Sequence, residues 1–384
     1  MQGPNKKQSA PNVSTHNVND AWNIPCIETS DAEKLCKRPL VSVNMQTYNH
    51  EKFITQAIEG VMMQETDFEY ELIIGEDCSK DRTREICFEY QKKYPDKIRV
   101  LWAEENVCRL FCQANVNRCL IRSRGKYVAC CEGDDYWTDP KKLQKQVEYM
   151  EAHPGCAMSF HHHWASWEDG VVPPEAQIPE RPDKNGRWPV VTFRDALLQQ
   201  GVFPDTRTRM VRRESMAGFP PDWGKGLVLG DWLMLMHVVA RGSVEYVPGI
   251  GPSVYRRHGG GAWGRQNAAY KAMRHVRSEM AYYDNLEIDR GTRRKLLEKT
   301  AEEAMRVFLD PMSVSEGEWS RFAEECRQFG ERHAGFRRKC RKILLPWGRG
   351  GAALGRLRWH YYKRCVVGFI KQFAGNNERG GQGR

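Results

Sequence analysis

The stretch CCEGDDYWTDP, residues 130–140, sets Glu132, Asp134 and Asp135 within four positions, directly after an apolar run and directly before a helix start. Carboxylates this close repel one another, so their grouping at the exit of a buried segment calls for a positive partner. Asp139 and Pro140 fit a helix N-cap and first helical position, which gives Asp139 a structural duty and leaves Asp134 and Asp135 without one. A divalent cation would answer the grouping, because Mg2+ and Mn2+ take oxygen ligands from one or two carboxylates and fill the rest of the shell with substrate phosphates. Two other polar stretches, QTYNH (46–50) and GEDCSKD (75–81), also close apolar runs.

Four β-favouring runs position these groups: LVSVNM from Leu40, YELIIGE from Tyr70, IRVLWA from Ile98 and YVACCE from Tyr127. Their spacing of about 30 residues is that of a βαβ unit. Phe53, Ile54, Ala57, Ile58, Val61 and Met62 form one apolar helical face. A second helix, capped by Ser79 or Asp81, turns Ile86, Cys87 and Tyr90 inward; a third runs from about 107 to 122; a fourth follows Pro140 with Leu143, Val147 and Met150 inside. Alternating strands and helices predict an α/β fold, a mostly parallel sheet flanked by helices on both faces. Ligands of such sheets bind beyond the carboxyl ends of the strands, which is where the three polar stretches lie. Neither GxGxxG nor GxxxxGK[ST] follows the first strand, so phosphate must be neutralised by something other than a glycine-rich loop.

Further along, PGCAMSF (154–160), RTRMVRR and SVEYVP read as strands and GDWLMLMHVVARG as a helix, whereas 168–188 reads as a surface loop. The expected organisation is a disordered extension over residues 1–37, a catalytic domain over 38–265, a helical extension over 266–334 and a basic tail over 335–384. The tail holds thirteen Lys or Arg against Glu378, a net of +12 that leaves about −2 for the remainder of a chain whose formal charge is +10. No apolar run is long enough for a membrane span, and the N-terminus has no apolar stretch behind its lysines, which argues against export. The thirteen cysteines contain no CxxC pair and read as reduced thiols of a cytoplasmic protein, with Cys108, Cys112 and Cys119 as packing residues. In His161–His163, neighbours on an extended run face opposite ways, so the triplet cannot easily converge on one ion; it reads as a loop lining the acceptor cleft or, before that, as plain surface.

The segments VSVNMQTYNHEKFITQAIEGVMMQ, YELIIGEDCSKDRTREI and GKYVACCEGDDYWTDPKKLQKQVEYM, followed by GDW and YRRHGGG, resemble in order the motifs of family 2 glycosyltransferases of the bacterial, inverting type, over about residues 38–262. The resemblance implies the GT-A fold, a Rossmann-like sheet, and a set of roles. Tyr48 would stack near the nucleotide base, with Gln46, Thr47 and Asn49 lining its pocket and Asp77 accepting a hydrogen bond from the base. Glu76 stands where the family commonly has Asp. Asp134 and Asp135 match the DXD element, Asp135 as the direct ligand of Mn2+ or Mg2+ and Asp134 nearer the ribose or a metal-bound water. Asp231 matches the catalytic base, without the acidic neighbour of many relatives because Gly230 precedes it. His258 is a candidate third metal ligand, Arg256 and Arg257 contacts to the diphosphate, Trp137 a wall of the donor site, and Gly259–Gly261 with Trp263 a lid.

These roles predict inverting transfer from a nucleoside-diphosphate sugar, by family habit a UDP-sugar, to a hydroxyl of a glycan, glycolipid or protein acceptor. The absence of QxxRW argues against a processive polysaccharide synthase. The alternatives are a sugar-phosphate nucleotidyltransferase, which would want a glycine-rich basic loop after the first strand, and a non-catalytic nucleotide-sugar or carbohydrate binding module. In the tail, Trp359, Tyr362, Val366, Phe369 and Phe373 form an apolar stripe flanked by basic residues. It suits packing on the catalytic domain or peripheral contact with the inner face of a membrane better than it suits nucleic acid.

Overall fold

The structure is a computed structural model, and it describes residues 13–14, 24–110, 113–167, 188–224, 227, 230–259, 261, 266–309 and 314–344. In chain order the strands are β1 (Val13–Ser14), β2 (Ile27–Thr29), β3 (Val41–Thr47), β4 (Tyr70–Glu76), β5 (Ile98–Trp102), β6 (Tyr127–Cys130), β7 (Cys156–Phe160), β8 (His163–Trp167), β9 (Val190–Val191), β10 (Met210–Arg212), β11 (Ser243–Tyr246) and β12 (Ser253–Arg257). The helices are α1 (Ile54–Met62), α2 (Thr83–Lys93), α3 (Ala114–Arg122), α4 (Lys142–Ala152), α5 (Phe193–Leu198), α6 (Gly230–Val239), α7 (Ala268–Asn285), α8 (Arg290–Leu309), α9 (Glu316–Arg332) and α10 (Ala334–Leu344). The chain divides into two units, residues 1–226 with 230–258, and residues 227–229 with 259–384.

The first unit is built on a sheet of order β1-β2-β5-β4-β3-β6-β10-β7-β11-β9. The pairs β3–β4, β3–β6, β4–β5 and β7–β11 are parallel, as βαβ spacing requires, while β10 enters antiparallel between β6 and β7. Every residue of β4 is buried because both faces are covered. Val41, Val43 and Met45 of β3, with Leu72 and Ile74 of β4, pack on Ile54, Ala57, Ile58 and Val61 of α1. On the other face Ile73 and Leu101 meet Cys119 of α3. The period of two along the strands thus divides their side chains between two helical layers. A smaller parallel pair, β8–β12, is tied to the turn after β6 by bridging of Tyr136 with Val254.

Residues 24–37, expected outside the fold, contribute β2, which pairs antiparallel with β5. The reason is electrostatic. Glu71, fully buried on β4, accepts hydrogen bonds from Ser42 Oγ at 2.6 Å, Arg99 at 3.1 Å and Arg124 at 2.6 and 2.8 Å. Glu28 on β2 takes the remaining fork of Arg99 at 2.8 and 2.9 Å, so the strand completes a buried network. Of the remainder of that extension only residues 13–14 are described, as β1 paired with β2.

The second unit is helical. Met273, Val276 and Met280 of α7, Ala301, Ala304, Met305 and Phe308 of α8, and Phe322, Cys326 and Phe329 of α9 share one core with Phe336 and Cys340 of α10. The helical extension therefore runs on into the expected basic tail, to Leu344. Residues 345–384, including the apolar stripe, the long loop at 168–187, and Gly260 and Trp263 of the expected lid lie outside the described residues. Among the described residues no helix is long and apolar enough to cross a membrane. The described cysteines are free; burial raises several, Cys130 to about 12, consistent with packing; Cys112 lies outside the described residues.

Candidate functional site

The loop after β6 returns beneath the exit of β3. Gly133 donates its N–H to the carbonyl of Gln46 at 2.8 Å, and a Cβ on Gly133 would come within 2.7 Å of Thr47 Oγ1, so the close approach needs glycine. The two polar stretches at the ends of β3 and β6 thereby become neighbours.

Asp134 lies between two imidazoles. His258, one residue past β12, has Nε2 at 3.1 Å from Asp134 Oδ2, and His50, three residues past β3, has Nε2 at 3.7 Å from the same oxygen. One ligand atom from each of the three lies within 4.8 Å of the others. Burial is the largest single influence on Asp134 and opposes its ionisation, but the hydrogen bond with His258 and the charges of His50 and His258 together outweigh it and hold the carboxyl below its ordinary value. Burial pushes His50 toward the neutral form, and its Nδ1 is buried without a hydrogen-bond partner among the described residues. A carboxylate and two imidazole nitrogens facing one small space form a donor set that fits a divalent cation.

Asp135 is placed differently from its expected role as the direct ligand. Its Oδ1 accepts the Arg256 N–H at 2.9 Å, and Oδ2 lies 2.8 Å from Arg207 Nε in an ion pair too bent to count as a hydrogen bond. Burial beside Asp134 and Glu132 pushes this carboxyl upward, against the pull of Arg207. Oδ1 thus accepts one hydrogen bond, while Oδ2 meets the Arg207 guanidinium by charge alone. Arg207 also pairs with Asp205 at 2.6 Å and stands over the Tyr255 ring at 4.1 Å. Asp135 is thus the buried clasp between the acidic loop and β12, while Asp134 faces His50 and His258. Glu132 is buried beside them, its carboxyl pushed up to about 7 by burial, with Oε2 unpartnered among the described residues.

The other expected donor contacts divide into two groups. Tyr48 is exposed, and Thr47 keeps a buried Oγ1 without a hydrogen-bond partner among the described residues. Asn49, by contrast, is a brace: at φ 56° it donates its N–H to Ser79 Oγ at 3.0 Å and accepts the Lys80 N–H on Oδ1 at 2.8 Å. Glu76 is fully buried and takes the Ser79 N–H at 2.6 Å and Arg84 Nε at 2.5 Å. Asp77 takes the Val107 N–H at 2.6 Å and the Cys108 N–H at 3.4 Å. The polar atoms of these three are committed to holding loops together. Trp137, expected as a wall, is core: its Nε1 donates to the Arg207 carbonyl at 2.9 Å and Lys142 Nζ sits over its ring at 4.0 Å.

Arg256 donates to the Asp134 carbonyl at 2.8 Å and to Gln56, and its guanidinium lies over the Tyr136 ring at 4.4 Å. Arg257, next along β12, points to the opposite face, with its guanidinium 5.9 Å from the Tyr255 ring. Asp231 is exposed in the first turn of α6, its Oδ1 accepting the Trp232 N–H at 2.8 Å. Arg209 anchors that turn, donating to the Asp231 carbonyl at 3.0 Å and to the Pro204 carbonyl at 2.6 Å. His161 and His163, read as surface, are buried; His161 is bonded to the Thr208 carbonyl and Ser253 Oγ at 3.0 and 2.9 Å. The sequence reading passed over His50 and Arg207. His50 stood inside the QTYNH stretch already singled out, while Arg207 meets Asp135 across 72 positions with no local signal.

Residues 42–216 match the family model described as "Glycosyl transferase family 2". An uncharacterized protein of Mycobacterium tuberculosis is 34% identical over 228 residues, covering 58% of this chain and 60% of that protein. The putative teichuronic acid biosynthesis glycosyltransferase TuaG of Bacillus subtilis is 37% identical over 134 residues, 35% of this chain and 50% of TuaG. The match thus spans 60% or less of the length of these two relatives. Among solved structures, S. aureus TarS 1-349 in complex with UDP-GlcNAc superposes with a TM-score of 0.58 at 17% identity, covering 88% of this chain and 93% of that one, a likeness of fold. The matching family model, the glycosyltransferases among the relatives and the fold shared with TarS agree: over residues 42–216 the chain is similar to glycosyl transferase family 2.

Proposed function

We propose that the protein is a cation-dependent, inverting glycosyltransferase that moves a sugar from a nucleoside-diphosphate sugar, of which UDP-sugars are the first choice, to an acceptor hydroxyl. The observation that carries the reading is the grouping of Asp134 with His258 at the carboxyl ends of the strands, beside Arg256, with exposed Tyr48 one residue past β3. TarS, similar in fold, was crystallised with UDP-GlcNAc, which supports the choice of nucleotide.

Asp134 and His258 would hold the ion, Mn2+ or Mg2+, and Arg256 would face the diphosphate. When bound, the ion supplies Lewis acidity to the diphosphate oxygens. Asp231, on the exposed first turn of α6, takes the proton as the acceptor O–H bond breaks. The acceptor oxygen bonds to the anomeric carbon while the bond to the diphosphate oxygen breaks, and its electron pair leaves with the diphosphate. A single displacement inverts the centre and needs no covalent sugar–enzyme bond. Asp231→Asn should lower transfer by about 10²–10⁴-fold, the usual contribution of a general base, while leaving calorimetric UDP and Mn2+ binding unchanged. Near-normal turnover by this variant would remove Asp231 from the role; no release of nucleoside diphosphate from any nucleotide sugar in the presence of Mn2+ or Mg2+ would remove the function.

A further inference from the structure

We propose that His50 is a third protein ligand of the cation, so that two imidazoles and one carboxylate select a transition ion of the Mn2+ class over Mg2+. The inference rests on the reading of Asp134 and His258 as ion-holding residues and extends it to a residue without an assigned role.

Three observations support it. First, the ligand-capable atoms of His50, Asp134 and His258 already converge within 4.8 Å, and both Nε2 atoms address the same carboxylate oxygen. Second, the backbone of His50 is fixed: its N–H donates to Thr83 Oγ1 at 2.7 Å, and Asn49 before it is held through Ser79 and Lys80. Third, the ring of Phe53 packs on both imidazoles, 4.6 Å from His258 and 6.4 Å from His50 between centroids, which limits their rotation. A side chain kept in place this firmly is suited to ligation, because little freedom remains to be lost on binding.

The choice of ion follows from ligand chemistry. Mg2+ demands near-octahedral oxygen coordination and keeps much of its water, and two nitrogen donors serve it poorly. Imidazole favours first-row transition ions, which bind nitrogen more strongly than Mg2+ does. A site made from carboxylates alone would leave Mg2+ competitive at its higher cellular abundance.

The test uses the full chain, without nucleotide, titrated with Mn2+ and followed by loss of the free-ion electron paramagnetic resonance signal, with Mg2+ as competitor. The wild type should bind Mn2+ and release it only at roughly hundredfold or greater excess of Mg2+. His50→Ala should weaken Mn2+ binding by about tenfold or more, at least the loss seen when mere supporting residues of metal sites are changed, with Mg2+ binding altered little. Pulsed resonance of the Mn2+ complex should detect two imidazole nitrogens in the wild type and one in His50→Ala. His50→Gln, closer in size, guards against a folding artefact and should show the same loss. Unchanged Mn2+ affinity and unchanged nitrogen couplings in both variants, with binding abolished by Asp134→Asn, would overturn the role of His50 alone. Unchanged binding in Asp134→Asn as well would overturn the underlying reading of the site.

Discussion

Asp135→Asn separates the clasp from the ion-holding residue. In the wild type Asp135 Oδ2 lies 2.8 Å from Arg207, and both side chains are almost wholly buried. Breaking a buried pair by neutralising one partner costs about 3–5 kcal/mol, because the remaining charge is stranded. Two contacts moderate this value. Asp205 stays 2.6 Å from Arg207, and the side-chain carbonyl of the substituted amide can still accept the Arg256 N–H that Asp135 now receives at 2.9 Å. The expected loss is therefore at or just below the lower end, about 2–3 kcal/mol. For a unit of this size it lowers the melting temperature by roughly 5–10 °C. Differential scanning calorimetry of Asp135→Asn and Asp134→Asn, paired with Mn2+ titration below the transition, measures both consequences. Asp135→Asn should melt early yet bind Mn2+ with an affinity close to wild type, whereas Asp134→Asn should melt near wild type and lose Mn2+. The reverse pattern, Asp135→Asn melting normally and failing to bind Mn2+, would refute the assignment and return Asp135 to the role of direct ligand.

Two further outcomes follow from the core of the first unit. Burial holds His161 well below the usual histidine range and His237 at about 4, so the fold favours both neutral imidazoles over their charged forms. Stability from these groups is fully present above the unfolded histidine value, near 6.5, and is lost as the pH falls from there toward 4; the share of the half-exposed His237 is reduced by solvent screening. Urea unfolding at pH 7.5 and pH 5 should differ by about 2 kcal/mol from His161 alone, and a flat profile would contradict the burial argument. Gly125→Ala places a Cβ 2.5 Å from Ser42 N and 2.8 Å from the Tyr127 carbonyl oxygen, both backbone atoms that cannot rotate away. It should cost at least about 2 kcal/mol in the same assay, and a variant as stable as wild type would mean the strands can part there.

The parallel strands and their helices were legible because both signals are local. LVSVNM and YELIIGE carry apolar β-formers in runs of strand length, and the i, i+3/i+4 pattern of Ile54, Ala57, Ile58 and Val61 matches α1. The loop after β6 was legible as a charged mouth, but its division of labour was not. Asp134 and Asp135 are chemically identical neighbours, and only Arg207, brought in from 72 positions away, decides which of them is tied down. The same limit hid the membership of β2, whose tether Glu28 meets Arg99 across 71 positions, and the burial of His161, set by Ser253 on a strand 92 positions on. The loop-bracing bonds of Asn49, Glu76 and Asp77 were not legible for a different reason. Polar residues at a strand exit can serve a ligand or the turn itself, and composition does not distinguish the two.

Phe53 touches both imidazoles and also lies beneath Arg256, 5.3 Å from its guanidinium, while Arg256 takes its main-chain position from Asp135. One aromatic ring is thus the keel of a lattice that joins both imidazoles to Arg256 and, through Arg256, to Asp135. Exposed rings outside that lattice, such as those of Tyr48, Trp164 and Phe203, can vary while the keel stays fixed.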